Sequence, residues 1–341
     1  MPARVSEQVD NIFAQNGNAV MLRLMRQSKI LGFAFIFSCR YIDKTCGICI
    51  IVKTMSGEIC VQAPAKINLG LRVLPKREDG FHNIESVFAT VALSDSLIVR
   101  PLAEANACKV FCRQADIPQK NTINSAYQAA KSVLGADLPG ISVELEKRIP
   151  LGGGLGGGSS DAAALLFALR KLGVAFSAEE ANQMAALVGS DVFFFLSLDG
   201  KPCGAAIVSG RGELVKPISP RSDLHYVLVF PGVHSSTAEA YAAIDESVGK
   251  PKNECLSLDE LESVYRRPAE DWTFENDFTP VIAGKHPKVR QALCDVKSSG
   301  ALFCDMSGSG STVFGVFDSA KQAQDAERCL SGKWNALYCK K

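Results

Sequence analysis

Residues 65–73 alternate between apolar and polar side chains, which predicts a β-strand. The apolar residues stand at every second position from Ile67 to Val73, and this two-residue period is typical of a half-buried strand. Side chains two positions apart point to the same side of a strand, so we expect Lys66 and Asn68 to share one face, directed away from the core. Further strands are predicted at residues 141–146, 203–208, 225–230 and 312–317, with two more within residues 84–100.

A different period appears at residues 162–172, where the spacing predicts a helix. Ala162, Leu165, Leu166 and Leu169 recur at helical intervals, and Gly173 ends the pattern. Strands and helices are interleaved without a strict strand–helix–strand repeat, so we expect an α+β fold. The length of 341 residues is enough for two domains. Other helices are predicted at residues 122–134, 177–187 and 319–330, and at residues 272–286 with a break at Pro280.

The most distinctive segment lies directly before the helix at residues 162–172. Six glycines stand within the seven residues from Gly152 to Gly158, and we call residues 150–158 the glycine loop. Glycine has no Cβ atom, so the backbone N–H groups of such a loop can approach a ligand closely. A helix that begins directly afterwards adds unpaired N–H groups and a partial positive charge, a combination that binds phosphate. The plain alternative is a flexible linker or a tight turn, although linkers seldom run straight into a capped helix.

Two well-known phosphate loops fit this segment poorly. Gly152, Gly154 and Gly157 match the pattern G-x-G-x-x-G of dinucleotide-binding proteins, but Pro150 separates them from the preceding strand. A Walker A loop needs a lysine directly before its serine, and Gly158 stands there instead. The sequence therefore predicts a phosphate loop of another kind, which has no lysine of its own.

Composition and charge narrow the class of protein. The net charge of +1 argues against nucleic acid as a partner, and no apolar run is long enough to span a bilayer. The twelve cysteines are scattered through a long chain, so most are expected to be buried, reduced thiols of a cytoplasmic protein. Residues 1–56 show no clear pattern of strands or helices, and we expect them to be a non-native or disordered extension. The two domains are then predicted to span residues 57–219 and 220–341.

Asp191 is the acidic residue in the most unusual context. It directly precedes Val192 and three phenylalanines, so we expect a partly buried carboxylate, which needs a partner. A structural helix cap is an equally good interpretation from the residues alone. A pairing with Lys66 would keep Asp191 ionised near neutral pH. Beside bound phosphates, such a pair could deprotonate an attacking hydroxyl and offset charge on a transferring phosphoryl group, as a kinase does.

Three segments resemble, in order and spacing, the motifs of the GHMP kinase superfamily. They are residues 63–69 (Ala-Pro-Ala-Lys-Ile-Asn-Leu), residues 150–160, and residues 307–314 (Ser-Gly-Ser-Gly-Ser-Thr-Val-Phe). Residues 77–82 (Arg-Glu-Asp-Gly-Phe-His) and 189–192 (Gly-Ser-Asp-Val) resemble one family within it, the 4-diphosphocytidyl-2-C-methyl-D-erythritol kinases. The resemblance implies an N-terminal ATP-binding α+β domain and a C-terminal ferredoxin-like α+β domain, with the active site in the cleft between them.

The same resemblance implies an activity and a set of site residues. The implied reaction is the ATP-dependent phosphorylation of the 2-hydroxyl of 4-diphosphocytidyl-2-C-methyl-D-erythritol, on the non-mevalonate route to isopentenyl diphosphate and dimethylallyl diphosphate. Mg²⁺ would accompany ATP, no residue is assigned to the metal, and the protein would be a monomer or weak homodimer.

The resemblance also implies which residues form the site, with Lys66 and Asp191 as the catalytic pair. The residues implied at ATP are Leu151, Gly152, Gly153, Gly154, Leu155, Gly156, Gly157, Gly158, Ser159 and Ser160 at the phosphates, with Asn121 and Lys147 at the adenine. The residues implied at the substrate are Asn68, Phe81, His82, Thr237 and Tyr241.

The chemistry of these side chains agrees with the implied roles but leaves alternatives open. A pyrimidine between Phe81 and Tyr241 would gain stacking, and the edge of His82 could read its hydrogen-bonding groups. Taken alone, His82 also fits an ordinary turn histidine and Tyr241 a core aromatic. Asp161 stands where the family often has asparagine; it adds negative charge near the phosphates and could cap the helix or lie near the metal. Two other functions stay open: another GHMP kinase, acting on homoserine, mevalonate or a sugar, and a nucleotide-binding protein without catalysis.

Overall fold

The computed structural model describes residues 51–53, 57–114, 118, 121–247 and 257–339. The strands of these residues form two separate sheets, and helices pack against both. This arrangement confirms the predicted α+β class. Nearly all of the predicted N-terminal extension, residues 1–50 and 54–56, lies outside the described residues. Residues 51–53 form a short strand that pairs with residues 59–61.

The first sheet has seven strands and carries the N-terminal half of the described chain. Its main path runs β1-β2-β3-β5-β4, and β6 pairs with both β3 and β7. Neighbouring strands are antiparallel except β4 and β5, which are parallel. The strands are β1 (Ile51–Lys53), β2 (Ile59–Lys76), β3 (His82–Pro101), β4 (Cys108–Cys112), β5 (Ile141–Glu146), β6 (Ala205–Ser209) and β7 (Leu214–Ile218).

Strand β3 corrects the prediction of two strands within residues 84–100. It is a single strand of 20 residues, because β2 pairs with it along nearly its whole length. On the side away from β2, its two halves pair with different strands. Residues 86–89 pair with β6, whereas residues 96–101 pair with β5. Strands β2 and β3 are therefore the two long central strands of the sheet.

Four helices accompany the first sheet: α1 (Thr122–Leu134), α2 (Gly157–Lys171), α3 (Ala178–Val188) and α4 (Asp191–Ser197). Helix α1 begins and ends as predicted. Helix α2 begins five residues before the predicted start at 162, so Gly157 and Gly158 belong to its first turn. Glycine has low helix propensity, so the sequence pattern gave no sign of this early start. The position is tightly packed, since a Cβ atom at Gly157 would lie 2.9 Å from Ile149 Cγ2.

The second sheet has four antiparallel strands in the order β11-β8-β10-β9. Helices α5 to α8 connect β8 to β9, and α9 connects β10 to β11, which gives the ferredoxin-like order expected for the C-terminal part. The strands are β8 (His225–Phe230), β9 (Phe303–Met306), β10 (Val313–Phe317) and β11 (Asn335–Cys339). The helices are α5 (Thr237–Ser247), α6 (Leu258–Arg266), α7 (Phe278–Lys285), α8 (Pro287–Ser298) and α9 (Ala320–Ser331).

Pro280 does not interrupt a helix, contrary to the prediction for residues 272–286. It is the third residue of α7, where a backbone N–H has no intrahelical partner to lose. Residues 272–277 before it are not helical, and Trp272 and Phe274 are buried there in an aromatic cluster.

The prediction that most cysteines are buried is wrong for the described residues. Of the eight cysteines that the structure describes, only Cys339 is buried, while Cys294 and Cys329 are exposed. The two exposed thiols lie on the outer faces of α8 and α9, where the helical pattern faces solvent.

The two sheets are joined by a short segment that runs beside β2. Leu71 N–H donates to Glu275 O at 2.9 Å, and Asp277 N–H donates to Leu71 O at 2.9 Å. Between them, the buried Asn276 Nδ2 donates to Met306 O at 2.7 Å and to Gly308 O at 2.9 Å. One side chain therefore fixes the end of β9 next to the strand that carries Lys66.

We predict that Asn276→Ala lowers the free energy of unfolding by about 2–4 kcal/mol, since two buried carbonyl groups lose their donor. The measurement is denaturant unfolding followed by circular dichroism. Asn83→Ala is the matched control: Asn83 accepts only an exposed hydrogen bond from Arg77, and a change within about 0.5 kcal/mol is expected there. Equal effects of the two substitutions would contradict the role given to Asn276.

Candidate active site

A cleft of about 300 Å³ lies where the two sheets meet. From the N-terminal side it is lined by Lys66, Asn68, Lys147, Asp191 and the glycine loop. From the C-terminal side it is lined by Thr237, Tyr241, Phe278, Gly308 and Ser309. Both parts of the chain are therefore needed to form the site.

Lys66 and Asp191 approach each other across this cleft. The Lys66 Nζ atom lies 3.4 Å from Asp191 Oδ2, and it donates a hydrogen bond of 2.6 Å to Asn68 Oδ1. Asn68 Nδ2 in turn donates to Ser86 Oγ at 3.2 Å. Lys66 and Asn68 thus share one face of β2 as predicted, but both are buried in the site and do not point away from the core.

The two side chains of this pair differ in their exposure to solvent. The Lys66 side chain is 4% exposed, whereas that of Asp191 is 30% exposed. The centroid of the Phe88 ring lies 4.6 Å from Lys66 Nζ, and this ring also lines the cleft. Asp191 is the first residue of α4, and its open side faces the cleft. An ionised carboxylate held this way can accept a proton from a bound hydroxyl.

The charge on Asp191 also reaches Tyr241. Burial of the phenol, and to a smaller extent the nearby Asp191 carboxylate, raise the pKa of Tyr241 to about 12. The tyrosine hydroxyl therefore stays protonated at neutral pH, and Tyr241 forms part of the C-terminal wall of the cleft as a neutral side chain.

Carbonyl groups of the glycine loop are tied down on both sides. Lys66 N–H donates to Leu155 O at 3.0 Å from β2, and Thr312 N–H donates to Gly153 O at 3.2 Å from the other part of the chain. The Ser307 hydroxyl donates to Gly154 O at 2.9 Å. Among the described residues, the backbone N–H groups of 152–156 donate to no protein acceptor. They remain available for an anion.

Gly154 shows why this loop requires glycine. Its φ angle is +76°, in the left-handed region, and a Cβ atom there would lie 2.0 Å from Ser307 O. No side chain fits at that distance, because the segment at residues 307–311, which we call the serine–glycine loop, presses directly on the glycine loop. Two further glycines, Gly152 and Gly156, also have positive φ angles.

Lys147 lies beneath the glycine loop between two carboxylates. Its ammonium contacts Asp95 and lies 2.9 Å from Asp161 Oδ2. Asp95 Oδ1 also accepts backbone N–H groups from Arg148 at 2.6 Å and Ile149 at 2.8 Å. Asp95 thus fixes the chain at the entrance to the loop. Burial raises the pKa of Asp161 to about 7 against the opposing charge of Lys147. Asp161 is the fifth residue of α2, so it is not the helix cap that the sequence allowed.

Two of the implied ATP residues lie outside the cleft wall. Asn121 caps helix α1: its Oδ1 accepts from Asn124 N–H at 2.9 Å, and its Nδ2 donates to Pro118 O at 2.9 Å. Ser160 is buried inside α2, and within the described part of the chain its hydroxyl has no hydrogen-bond partner. The other loop residues from Leu151 to Ser159 and Lys147 line the cleft.

The implied substrate residues other than Asn68 lie in three places: His82 with Tyr241, Phe81 at a hairpin tip, and Thr237 beside the serine–glycine loop. The His82 and Tyr241 rings stack on each other with centroids 5.3 Å apart and an angle of 22° between their planes. His82 Nδ1 lies 2.8 Å from Leu74 O, and its Nε2 lies 3.1 Å from Asp245 Oδ1. Phe81 instead lies at the hairpin tip, about half exposed, with the Arg211 guanidinium 3.6 Å from its ring centroid. Thr237 Oγ1 lies 2.8 Å from Ser309 Oγ in the serine–glycine loop.

Known proteins share this arrangement. The family descriptions "GHMP kinases N terminal domain" and "GHMP kinases C terminal" match residues 121–197 and 258–336. A 4-diphosphocytidyl-2-C-methyl-D-erythritol kinase of Treponema pallidum (strain Nichols) is 38% identical over 284 residues, which cover 81% of this chain and 96% of that protein. One from Chlorobium luteolum (strain DSM 273 / BCRC 81028 / 2530) is 37% identical over 271 residues, covering 79% and 92%. The chain belongs to the 4-diphosphocytidyl-2-C-methyl-D-erythritol kinase family of GHMP kinases.

A solved structure agrees with this membership. The crystal structure of a 4-(cytidine 5'-diphospho)-2C-methyl-D-erythritol kinase superposes with a TM-score of 0.64 at 32% identity, covering 82% of this chain and 98% of the other. As a GHMP kinase, the chain uses ATP as its co-substrate. No helix among the residues described here is long and apolar enough to cross a membrane.

Sequence reasoning missed several residues that hold the site of this GHMP kinase together. Ser86, Asp95 and Asn276 are all buried polar side chains with defined partners. The one available signal was Asp95, an acidic residue that stands between two serines directly before the apolar residues 97–99. Nothing in the pattern around Asn276 indicated that it bridges two sheets.

We predict that Gly154→Ala destabilises this kinase by roughly 3 kcal/mol and weakens its binding of nucleotide, because the added methyl group displaces the serine–glycine loop. Gly135→Ala is the matched control. Gly135 also has a left-handed backbone, with φ +57°, but nothing lies within 4 Å of its missing Cβ. It should lose only about 1–2 kcal/mol. Thermal unfolding and a fluorescent ATP analogue measure the two effects, and nucleotide binding unchanged in the first variant would contradict the account.

Proposed function

We propose that the protein transfers the γ-phosphoryl group of ATP to the 2-hydroxyl of 4-diphosphocytidyl-2-C-methyl-D-erythritol. The observation that carries the proposal is the contact of Lys66 and Asp191 at the open end of the glycine loop. The relatives that bear this name match over about four fifths of the chain, and the site contains every group the transfer needs.

The chemical step follows from the geometry of the pair. The substrate oxygen attacks the γ-phosphorus and forms the new P–O bond, while the bond from that phosphorus to the β–γ bridging oxygen breaks and ADP leaves. The hydroxyl proton passes to Asp191, whose open side faces the cleft. Lys66 would offset negative charge on the transferring group. Asn68 holds the ammonium of Lys66 in place through its hydrogen bond of 2.6 Å.

The nucleotide would bind along the glycine loop. The free N–H groups of residues 152–156 and the first turn of α2 offer hydrogen bonds and a partial positive charge to the phosphates. Lys147 adds an ammonium beneath the loop. The polar side-chain atoms of Asn121 are already used in capping α1, so its contribution at the adenine would be to fix the start of that helix.

We also propose that Mg²⁺ enters with ATP, bound through the phosphates. Among the described residues there is no group of three or more histidine, cysteine, aspartate or glutamate side chains that could hold a metal ion. Mg²⁺ commonly keeps most of its waters and binds through substrate phosphates with few protein ligands. When bound, the ion would neutralise charge on the phosphates, and the proposal names no side chain as its ligand.

The cytosine ring would bind at Tyr241. A base enclosed between two rings needs about 7 Å between them, twice the ordinary contact distance of about 3.5 Å. The His82–Tyr241 spacing of 5.3 Å leaves no room for that, so the base would take the place of His82 on the tyrosine face. Phe81 would cover its other face and His82 would read its edge. Thr237 would support the loop at this wall.

Context for the enzyme follows from the same observations. The substrate is a small molecule that carries a cytidine diphosphate group, and we propose that the enzyme acts in the cytoplasm as a monomer or weak homodimer. The free, exposed thiols of Cys294 and Cys329 support a reducing compartment.

The experiment that tests the substrate is an assay of ADP release with candidate alcohols. We expect turnover with 4-diphosphocytidyl-2-C-methyl-D-erythritol and at least about a hundredfold lower kcat/KM with homoserine, mevalonate or galactose. Comparable turnover of a cytidine-free alcohol would favour another GHMP kinase. Nucleotide binding without transfer to any of these alcohols would favour a non-catalytic protein.

We predict that Asp191→Asn lowers kcat by about 10²–10⁴-fold, because the amide cannot accept the hydroxyl proton. Binding of ATP should be unchanged, since the glycine loop does not depend on this carboxylate. Steady-state kinetics and calorimetry with a non-hydrolysable ATP analogue measure the two properties. The control is Asp199→Asn, at an exposed aspartate just after α4, which should keep full activity. Turnover within tenfold of wild type in Asp191→Asn would refute the assigned role.

We predict that Tyr241→Ala raises KM for the cytidine substrate by about three- to tenfold, which corresponds to the loss of one stacking interaction of about 0.5–1.5 kcal/mol. KM for ATP should not change. Tyr241→Phe keeps the ring and is expected to keep the wild-type KM. Steady-state kinetics with each substrate varied in turn distinguish these outcomes, and a rise in KM for ATP alone would place the cytosine elsewhere.

A further inference from the structure

The cluster beneath the glycine loop contains two carboxylates and a single ammonium. Both carboxylate oxygens of Asp95 have partners: one contacts Lys147, and the other accepts two backbone N–H groups. Asp161 is not. Its Oδ2 lies 2.9 Å from Lys147 Nζ, but its Oδ1 is buried and has no hydrogen-bond partner among the residues that the structure describes. With all three groups charged, the cluster carries one net negative charge in a buried place, and Asp161 is the less stabilised of the two acids.

This cluster lies directly below the expected position of the nucleotide phosphates. Lys147 lines the cleft, and its Nζ lies 3.4 Å from the point where a Cβ on Gly157 would stand, at the first turn of α2. An anion bound at that turn and the Asp161 carboxylate would compete for the same ammonium. The other charged groups that line the cleft are Lys66 from β2 and Asp191 from α4, which contact each other. Asp95 is the charged neighbour from β3.

We propose that Asp161 is a positioning residue, which holds Lys147 beneath the glycine loop and takes up a proton from solvent when the anionic nucleotide binds. The inference rests on the proposed function only in that the cleft binds a nucleotide. Once protonated, Asp161 is neutral. Lys147 then balances Asp95 alone, and the ammonium can also donate toward the phosphates.

The direction of the effect follows from electrostatics. Burial already raises the pKa of Asp161 to about 7, and the carboxylate of Asp95 adds to the rise, while Lys147 opposes it. Phosphate charges near the cluster disfavour the ionised acid further, so the pKa rises again on binding. Proton uptake is therefore greatest at pH 7–8. Nucleotide affinity falls as pH rises through that range, by about tenfold for each unit that binding adds to the pKa.

The test is isothermal titration calorimetry of the full chain with the Mg²⁺ complex of β,γ-imido-ATP, in the absence of the alcohol substrate. Titrations at pH 7.5 in HEPES and in Tris, whose ionisation enthalpies differ, give the number of protons taken up. Wild type and the exposed control Asp199→Asn should take up about half a proton or more per nucleotide beyond Asp161→Asn. The Asp161→Asn titration also subtracts any proton exchange of the ligand itself.

Affinity between pH 6 and pH 8.5 supplies the second reading. We expect the wild-type affinity to fall about tenfold more than that of Asp161→Asn over this range. The asparagine keeps an oxygen that can accept from Lys147, so its affinity should match wild type at pH 6. Asp161→Ala removes that acceptor and should bind more weakly at every pH. This contrast separates the positioning of Lys147 from the uptake of the proton.

Each outcome decides a definite point. Equal proton uptake by wild type and Asp161→Asn, with nucleotide bound by both, overturns the inference and leaves the proposed function intact. If Asp161→Asn does not fold, Asp161→Ala takes its place in the comparison, and equal proton uptake by this variant and the wild type overturns the inference. If wild type binds no nucleotide, the proposed function fails as well.

Discussion

The structure depends on a loop of glycines held by its carbonyl groups, so that its N–H groups stay free. Strand β2 holds the loop at Leu155, and the serine–glycine loop holds it at Gly153 and Gly154. This contact is possible only because no Cβ stands between the two loops, as the distance of 2.0 Å at Gly154 shows. The same hydrogen bond that fixes the loop comes from the backbone of Lys66. The proposed phosphate site and the lysine proposed for catalysis are therefore positioned by one strand.

Buried charges in this protein are arranged in pairs that the chemistry can use. Lys66 is almost completely buried, and Asp191 and Asn68 hold its ammonium in the cleft. Lys147 is balanced by Asp95, which also fixes the backbone at the entrance to the loop. Removing one partner of such a pair leaves an uncompensated charge. The second acid, Asp161, is the exception, since one ammonium cannot neutralise two carboxylates.

The parts of this fold that depend on local sequence were predictable, and those that depend on distant contacts were not. The alternation around Lys66 and Asn68 predicted β2, and the glycine run predicted an anion site. The start of α2 was missed because Gly157 and Gly158 are weak helix formers, and both stand at tightly packed positions next to Ile149 and Thr122. Asn276 was missed because its partners, Met306 and Gly308, lie about thirty residues away. The direct stacking of His82 on Tyr241 likewise joins residues that no period connects.

The central claim is that a lysine–aspartate pair at the glycine loop directs one phosphoryl group to one hydroxyl. Phosphorus-31 nuclear magnetic resonance of the products formed from ATP and 4-diphosphocytidyl-2-C-methyl-D-erythritol tests it most directly. The account predicts one new phosphomonoester signal, coupled to the carbon at position 2, in an amount equal to the ADP formed and with the diphosphate of the substrate intact. A phosphomonoester on another hydroxyl, or ADP formed together with inorganic phosphate alone, would contradict the account.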